Sequence, residues 1–178
     1  NSTIIPYGTS MYATTNYRCY PDNDSSKVAL YGYLYNGHAV MNGASTSATQ
    51  VQGMCPNGWH IPTNNDWTNL GSYVGSQAQC QCDGSSNKIA KALSAISNWN
   101  SSSNNCVPGK NIYSNNITGF TAYPTGNIND NTIGVLTGFW AAPMSIYSDA
   151  RFIYNDSYYF NSHLTSKDYY YPVRCLKN

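Results

Sequence analysis

Residues 55–70 constrain the fold of this chain more than any other stretch. They read Cys-Pro-Asn-Gly-Trp-His-Ile-Pro-Thr and continue as Asn-Asn-Asp-Trp-Thr-Asn-Leu. Pro62 disfavours helix in the residue before it, and Thr63 can cap a helix that begins directly after it. Asp66 then falls in the first turn, where a carboxylate stabilises exposed amides and the helix dipole. The pattern predicts a strand end that leads straight into a helix.

The residues after this cap predict a short amphipathic helix that is packed by a tryptophan. Trp67, Leu70 and Val74 fall at positions i, i+3 and i+7, so they share one face. The helix is expected to end near Gly75.

Periodicity along the rest of the chain predicts one more helix and several short strands. Ile89, Leu93 and Ile96 share a face, which predicts a helix over residues 87–97. Residues 1–17 are expected to form an arm or an edge strand, and residues 43–52 a loop. Two helices followed by a strand-rich half indicate an α+β fold in one domain over residues 1–178. The predicted strands are residues 28–36, 120–123, 138–142, 150–154 and 170–176.

The composition excludes some classes of protein. Charged residues make up 10% of the chain and the formal net charge is +1. A protein that binds nucleic acid through its phosphates needs a basic surface, so we expect no nucleic-acid partner. Glutamate is absent, and Asn, Ser, Thr and Tyr must cover the surface. That uncharged polar composition is typical of extracellular binding proteins.

The chain has six cysteines and no metal-type Cys-x-x-Cys pair. This favours disulfides and an oxidising compartment over the alternative of buried reduced thiols. Cys82 and Cys106 flank the second predicted helix and the loop after it, and we expect a bridge between them. No apolar run reaches the ~18 residues that span a membrane. The first residues do not resemble a signal peptide, so we expect any export signal or anchor to have been removed or to lie outside this stretch.

Four motifs in order resemble the Fibrobacter succinogenes major paralogous domain. The first is Tyr-Gly-Tyr-Leu-Tyr-Asn at residues 31–36, and the second is the stretch at residues 55–70. The third is Gly-Phe-Thr-Ala at residues 119–122, and the fourth is Val-Arg-Cys at residues 173–175. The resemblance covers residues 17–178. The chain departs from the family pattern at Ala141-Ala142 and at Tyr170-Tyr171-Pro172.

The resemblance implies a disulfide-tied C-type-lectin-like fold with two helices, short and mainly antiparallel strands, and long loops. In that fold the last strand lies near the earlier strands, which implies a bridge between Cys55 and Cys175. Cys19 and Cys80 then remain, and they form the third expected pair by elimination among about fifteen pairings.

The family also implies a source of sequence diversity. It includes variable proteins of diversity-generating retroelements, which rewrite adenines in a C-terminal segment that ends near Val-Arg-Cys. Rewritten Asn codons cannot yield Lys, Glu, Gln, Trp or Met, and residues 145–166 contain none of these five.

No pattern indicates catalysis, and we expect no enzyme and no cofactor. His60 stands between Trp59 and Ile61, which predicts a core histidine hydrogen-bonded to backbone. His38 and His163 are isolated and lack the spacing of a metal site. The broader fold is shared with formylglycine-generating enzymes, but no reactive-cysteine setting is apparent.

Two clusters offer oxygen ligands for calcium: Asp22-Asn23-Asp24 and Asn129-Asp130-Asn131. Neither has the spacing and terminal glutamate of an EF-hand. The Glu-Pro-Asn and Trp-Asn-Asp tripeptides of calcium-dependent lectins are also absent. We interpret both clusters as turns and predict no required metal.

The segment of residues 145–171 is rich in tyrosine that alternates with Ser, Asn, Asp and His. Antibody paratopes favour the same composition, because tyrosine gives large contacts at low entropic cost. Tyrosine is also common in ordinary strands, and we interpret Tyr170 and Tyr171 as ordinary strand residues. The candidate ligand-binding residues are Ser145, Tyr147, Asp149, Tyr154, Asn155, Ser157, Tyr158, Tyr159, Asn161 and His163.

The leading hypothesis is a non-enzymatic receptor or adhesin domain that binds a protein or glycan through this segment. It would act outside the cell, on a cell surface or on a phage virion, without inserting into a membrane. The alternative is a structural or fimbrial subunit whose tyrosine-rich face packs on a neighbouring subunit.

Overall fold

A computed structural model describes residues 5–9, 15–128, 132–145 and 147–178. It shows a mixed fold in which small antiparallel sheets and short helices are joined by long loops. The strands form sheets in the orders β1-β2-β7, β3-β8 and β4-β5-β6. Their bounds are β1 Arg18–Cys19, β2 Leu34–Asn36, β3 Trp59–His60, β4 Leu136–Trp140, β5 Tyr147–Tyr154, β6 Asn161–Ser166, β7 Tyr170–Tyr171 and β8 Leu176–Lys177.

Among the described residues, one helix is longer than two turns. This is α3, Asn64–Ser76, and it is the helix that residues 55–70 predict. The other α-helices have four or five residues each. They are α1 Val28–Tyr31, α2 Gly37–Met41 and α4 Ala90–Leu93.

The start of α3 is a complete capping box. The Thr63 hydroxyl accepts a hydrogen bond from the Asp66 amide at 3.1 Å, and Asp66 Oδ2 accepts one from the Thr63 amide at 2.8 Å. Partial burial acts to raise the pKa of the Asp66 carboxyl. The hydrogen bonds from Thr63 and the nearby His60 outweigh it and hold that pKa below its ordinary value.

Replacement of Asp66 by Ala should lower the free energy of unfolding by about 1 kcal/mol, because it removes half of the capping box. The folded-state pKa of Asp66 is depressed, so its contribution is present above the unfolded pKa of about 4 and is lost as the pH falls further. Urea denaturation of wild type and Asp66→Ala at pH 7 and pH 3 measures this. Asp156→Ala, at an exposed loop aspartate, is the control. If the variant lost the same unfolding free energy at pH 3 as at pH 7, the depressed pKa of Asp66 would be contradicted.

The strand predicted over residues 28–36 is wrong for its first half. Residues 28–31 form α1, which follows a 3-10 turn capped by the Asp24 side chain. Gly32 ends α1 with a φ of 76°. The cap favours a helical turn over the strand preference of the Val and Tyr residues, and only Leu34–Asn36 forms a strand.

The second predicted helix is shorter than expected. Helix α4 covers four residues, although Ile89 and Leu93 are buried as the periodicity requires. The backbone after Leu93 leaves the helix and pairs with Ala122 through a parallel bridge at Ser94. Ile96 therefore lies on the surface and is 51% exposed. The same bridge is all that remains of the strand predicted over residues 120–123.

The final predicted strand is divided in two. Residues 170–176 were expected to be continuous, but β7 ends at Tyr171 and β8 begins at Leu176. Pro172 separates them because it has no amide hydrogen to donate to a ladder. The strands predicted over residues 138–142 and 150–154 correspond to β4 and β5.

Two larger clusters of buried side chains form most of the core. Trp67 of α3 meets Phe139 and Phe160 in the first, with ring centroids 5.6 and 5.8 Å away. Trp140 of β4 packs on Tyr171 in the second, at 5.2 Å. Alternate residues of β4 belong to different clusters: Phe139 to the first and Trp140 to the second. Sheet β4-β5-β6 therefore lies between the two clusters.

Two of the three expected disulfides are confirmed. Cys55 is joined to Cys175 and Cys82 to Cys106. The pairing of Cys19 with Cys80 is wrong: both are free and buried. Cys19 packs with Leu34 and Tyr170, whereas Cys80 belongs to the cluster around Trp67. Burial raises the pKa of the Cys19 thiol to about 12, so it stays protonated.

The turn interpretation of residues 22–24 is confirmed. Asp24 caps the following turn through the Ser26 amide at 2.9 Å, and Asp22 pairs with Lys27. The other oxygen cluster, Asn129-Asp130-Asn131, lies outside the described residues. Part of the N-terminal arm pairs with β1, since Tyr7 forms a parallel bridge with Arg18.

Candidate functional site

The hairpin of β5 and β6 carries most of the candidate ligand-binding residues. In its register Tyr147 lies opposite Ser166, Asp149 opposite Leu164, and Arg151 opposite Ser162. Paired residues of antiparallel strands point to the same side, so these six share one face. We call them the hairpin surface. Tyr147 is 64% exposed and Leu164 is 75% exposed.

Polar contacts hold the middle of the hairpin surface against α3. Asp149 accepts a hydrogen bond from Ser162 Oγ at 2.9 Å and another from the Asn64 side chain. Arg151 Nη2 donates to Thr68 Oγ1 at 2.7 Å and to the Asn64 carbonyl at 3.3 Å. Burial lowers the pKa of Arg151, and Asp149 opposes that shift. These contacts fix the polar groups in place before any ligand arrives.

The hairpin surface continues into a groove beside α3, with a volume of about 480 Å³. Arg151, Tyr159, Phe160 and Asn161 form one wall of this helix groove. The opposite wall is the small-residue face of α3. A Cβ on Gly75 would lie 2.2 Å from the Ser86 carbonyl oxygen, so glycine is needed for this loop to approach. The residues of the α3 wall are Thr68, Gly71, Ser72, Gly75 and Ser76.

This wall was missed from the sequence, although a signal was present. The small residues at positions 68, 71, 72, 75 and 76 recur with the spacing of one helix face. That face is opposite in character to the apolar face of Trp67 and Val74, and it lines the helix groove across from the hairpin.

Tyr158 and Tyr159 lie in the loop between β5 and β6. Their ring centroids are 4.3 Å apart, and Lys88 Nζ lies 5.1 Å from the centroid of the Tyr158 ring. A side-chain hydrogen bond with Tyr158 raises the pKa of Tyr159. The Tyr158 carbonyl accepts a hydrogen bond from the Ala90 amide at 3.2 Å, which ties this loop to α4.

Several candidate residues lie away from the hairpin surface. Tyr154 and His163 have their rings against Phe152, at 6.0 and 5.7 Å, and so belong to the opposite face of the sheet. Asn155 lies in the loop after β5. Its amide donates a hydrogen bond to the Val135 carbonyl, and its carbonyl accepts one from the Gly109 amide. The predicted patch is therefore divided between two faces, because strand residues alternate between them.

The remaining two candidates make local contacts. Ser145 Oγ donates to the Tyr147 carbonyl at 2.8 Å, and Ser157 Oγ accepts from the Tyr159 amide at 3.4 Å. Ser145 is exposed near the start of β5, whereas Ser157 lies beyond its other end. They are separated by roughly the length of β5, about 25 Å at the usual rise of a strand.

His60 is buried, as the sequence predicts, but its ring contacts side chains rather than backbone. Nδ1 lies 2.6 Å from Asn178 Oδ1, and Nε2 lies 3.4 Å from Asp66 Oδ2. The histidine thus connects the end of the chain to the cap of α3, and Asp66 is the acid partner that local sequence did not reveal.

Cys82, Asp83 and Cys106 bring two sulfurs and a carboxylate within 4.8 Å of one another. The two sulfurs are joined in a disulfide. A metal ion is bound by thiolate, so these sulfurs are unsuitable as ligands while the bridge is intact.

The sequence pattern of the Fibrobacter succinogenes major domain matches residues 1–177. The chain belongs to this family. The match includes the N-terminal residues that precede the four motifs. No curated protein and no solved structure matches the chain.

The disulfides of this Fibrobacter succinogenes major domain are compatible with an oxidising environment outside the cell. Along the described residues, no helix combines the length and apolar character needed to cross a bilayer.

Proposed function

We propose that this domain is a non-enzymatic ligand-binding domain of C-type-lectin-like fold, which binds a protein or glycan through the hairpin surface and the helix groove. The observation that carries the proposal is the exposure of Tyr147 and Leu164 on one face of the hairpin. Large apolar side chains at adjacent exposed positions, bordered by polar groups, are typical of recognition surfaces.

The polar neighbours support the same proposal. Asp149, Ser162 and Arg151 are held by hydrogen bonds to each other or to α3. A ligand would meet groups already in position, which reduces the entropy lost on binding. The pairing of β3 with β8 supports the fold assignment, because it places the last strand beside the entrance to α3.

The binding test compares the wild type with a Tyr147→Ala, Leu164→Ser double variant. Labelled domain is applied to a glycan array and to intact cells, and the strongest bound target is titrated. We expect the double variant to weaken binding by about tenfold or more, because central aromatic and apolar anchors carry most of the affinity. Its stability should change by less than about 0.5 kcal/mol per site, since both side chains are exposed.

Two control variants locate the effect. Tyr113→Ala removes a tyrosine that is 84% exposed and lies outside the helix groove. His163→Ser alters the opposite face of the same hairpin. Loss of binding in His163→Ser with full binding in the double variant would place the contact on the other face and contradict the proposal.

We further propose that the segment of residues 145–166 is diversified by a retroelement. The support is the family membership and the absence of Lys, Glu, Gln, Trp and Met from that segment. Sequencing of the encoding locus tests it. A nearby copy of this segment that differs almost only at adenines is the expected result, and a locus without such a copy would refute diversification while leaving the binding test intact.

One observation favours a structural subunit as the second candidate function. Strand β6 is at the edge of its sheet, and its first four residues are exposed. An exposed edge can pair with a strand of another chain. Sedimentation velocity between low and high micromolar concentration distinguishes the two functions: a ligand-binding domain stays monomeric, whereas a fimbrial subunit assembles.

A further inference from the structure

A second groove lies where residues 30–35, 121–125 and 172–174 meet strand β4. Its volume is about 390 Å³, and it shares no lining residue with the helix groove. Tyr31, Tyr33, Tyr35 and Tyr123 line it, and we call it the tyrosine groove. Its size is at the lower end of the range for small-molecule sites, about 300–1,000 Å³.

The aromatic rings of this groove form a corner. Tyr31 meets Tyr123 edge to face, with centroids 6.0 Å apart and planes at 88°. The face of an aromatic ring is negative and attracts polarised C–H groups. A pyranose ring presents C–H groups on its faces and hydroxyls around its rim, so it fits a corner of this kind.

Two threonines close the base of the groove, and their hydroxyls hydrogen-bond to each other. Thr125 and Thr137 are buried there, with their Oγ1 atoms 3.1 Å apart. Thr121 is held at a φ of 56°, which is unusual for a β-branched residue. Its amide donates to Asn116 Oδ1 at 2.7 Å, which maintains that conformation. Backbone strain of this kind is concentrated at binding and catalytic sites.

The charge of the groove is positive. Arg174 is the one charged side chain among the lining residues that the structure describes. Its Nη2 donates to the carbonyls of Phe120 and Thr121 at 3.1 and 3.3 Å, so the guanidinium is fixed in place. Arg18 adds a second guanidinium 4.4 Å from the centre of the Tyr33 ring. This arrangement disfavours cationic ligands and favours a carboxylate, which guanidinium groups bind well.

A peptide that binds as an added strand does not fit the groove. That mode of binding needs an open strand edge. Strand β2 borders the groove through Tyr35, and it is paired on both edges, with β1 and with β7. The groove therefore offers ring faces, the phenolic hydroxyls of its tyrosines and a cation, but no open edge of β2.

We infer that the tyrosine groove binds a small acidic saccharide, with its sugar ring against Tyr31 and Tyr123 and its carboxylate facing Arg174. This site lies apart from the hairpin surface and does not depend on the function proposed there. The shared chemistry of its ligands is a pyranose that carries a carboxylate, as in uronic acids and sialic acids.

Isothermal titration with digalacturonic acid and with sialyllactose tests the inference on the whole chain and distinguishes the two kinds of acidic sugar. We expect at least one of them to bind saturably, and its methyl ester to bind about tenfold more weakly, as the loss of a charged hydrogen bond predicts. Tyr31→Ala and Tyr123→Ala should each weaken binding by a similar factor. Tyr113→Ala is the matched control, since it removes an exposed tyrosine outside the groove.

Arg174→Gln removes the positive charge and should abolish the preference for acid over ester. If that variant does not fold, because Arg174 also holds two carbonyls, Tyr31→Ala with its circular dichroism spectrum still decides the matter. The inference is overturned if neither saccharide binds at millimolar concentration, if acid and ester bind equally, or if Tyr31→Ala binds as the wild type does. Displacement of the saccharide by an equimolar proline-rich peptide would assign the groove to peptides instead.

Discussion

Replacement of Cys55 and Cys175 together by alanine should lower the free energy of unfolding by about 5 kcal/mol. The two residues are 120 positions apart and are joined in a disulfide. A cross-link stabilises mainly by restricting the unfolded chain, and the restriction grows with the length of the closed loop. This bridge also ties the segment just before β3 to the end of the chain.

The matched control is the Cys82→Ala, Cys106→Ala variant. Its bridge closes a separation of 24 residues, for which the same relation gives about 3.5 kcal/mol. Urea denaturation under non-reducing conditions measures both variants against the wild type. Equal losses, or a larger loss for the shorter loop, would show that chain entropy is not the dominant contribution of these bridges.

Trp140→Ala should cost about 4 kcal/mol of unfolding free energy. The side chain is 1% exposed, and its ring packs on Tyr171. Its Nε1 donates to the Tyr35 carbonyl at 2.8 Å, so truncation leaves a cavity and also removes the partner of a polar group. Chemical denaturation monitored by circular dichroism measures the loss.

Two further variants separate these contributions. Trp140→Phe keeps most of the ring volume but removes the hydrogen bond, and it should lose about 2 kcal/mol, between the wild type and Trp140→Ala. Trp59→Ala removes a tryptophan that is 39% exposed and should cost much less. A Trp140→Ala loss no greater than that of Trp59→Ala would contradict the assignment of Trp140 as a central core residue.

Local signals in the sequence were sufficient for the main helix. Thr63, Asp66 and the spacing of Trp67 and Val74 predict α3 and its cap, because capping and amphipathic packing depend on residues within a few positions of one another. The Cys82–Cys106 bridge was predictable for a similar reason, since it closes a short excursion of the chain.

The candidate site was predictable as a segment but not as a surface. The composition of residues 145–166 pointed to the hairpin of β5 and β6. It did not show that Tyr147 and Leu164 lie on one face while Tyr154 and His163 lie on the other, because that depends on the strand register. The sequence did not indicate three residues of the hairpin surface, because neither their type nor their spacing distinguishes them. They are Arg151, Ser162 and Leu164.

The sequence by itself determined the family, the capped helix α3, the mixed helix and strand character and the Cys82–Cys106 bridge, because each rests on residue types at short or characteristic spacings. The Cys55–Cys175 bridge was expected only through the family resemblance. Only the tertiary structure decided that Cys19 and Cys80 stay apart, that the helix at Ala90 ends after four residues, and that tyrosines distant in the chain line one groove. These outcomes depend on which segments pack together. Packing partners that are dozens of residues apart leave no local signal in the sequence.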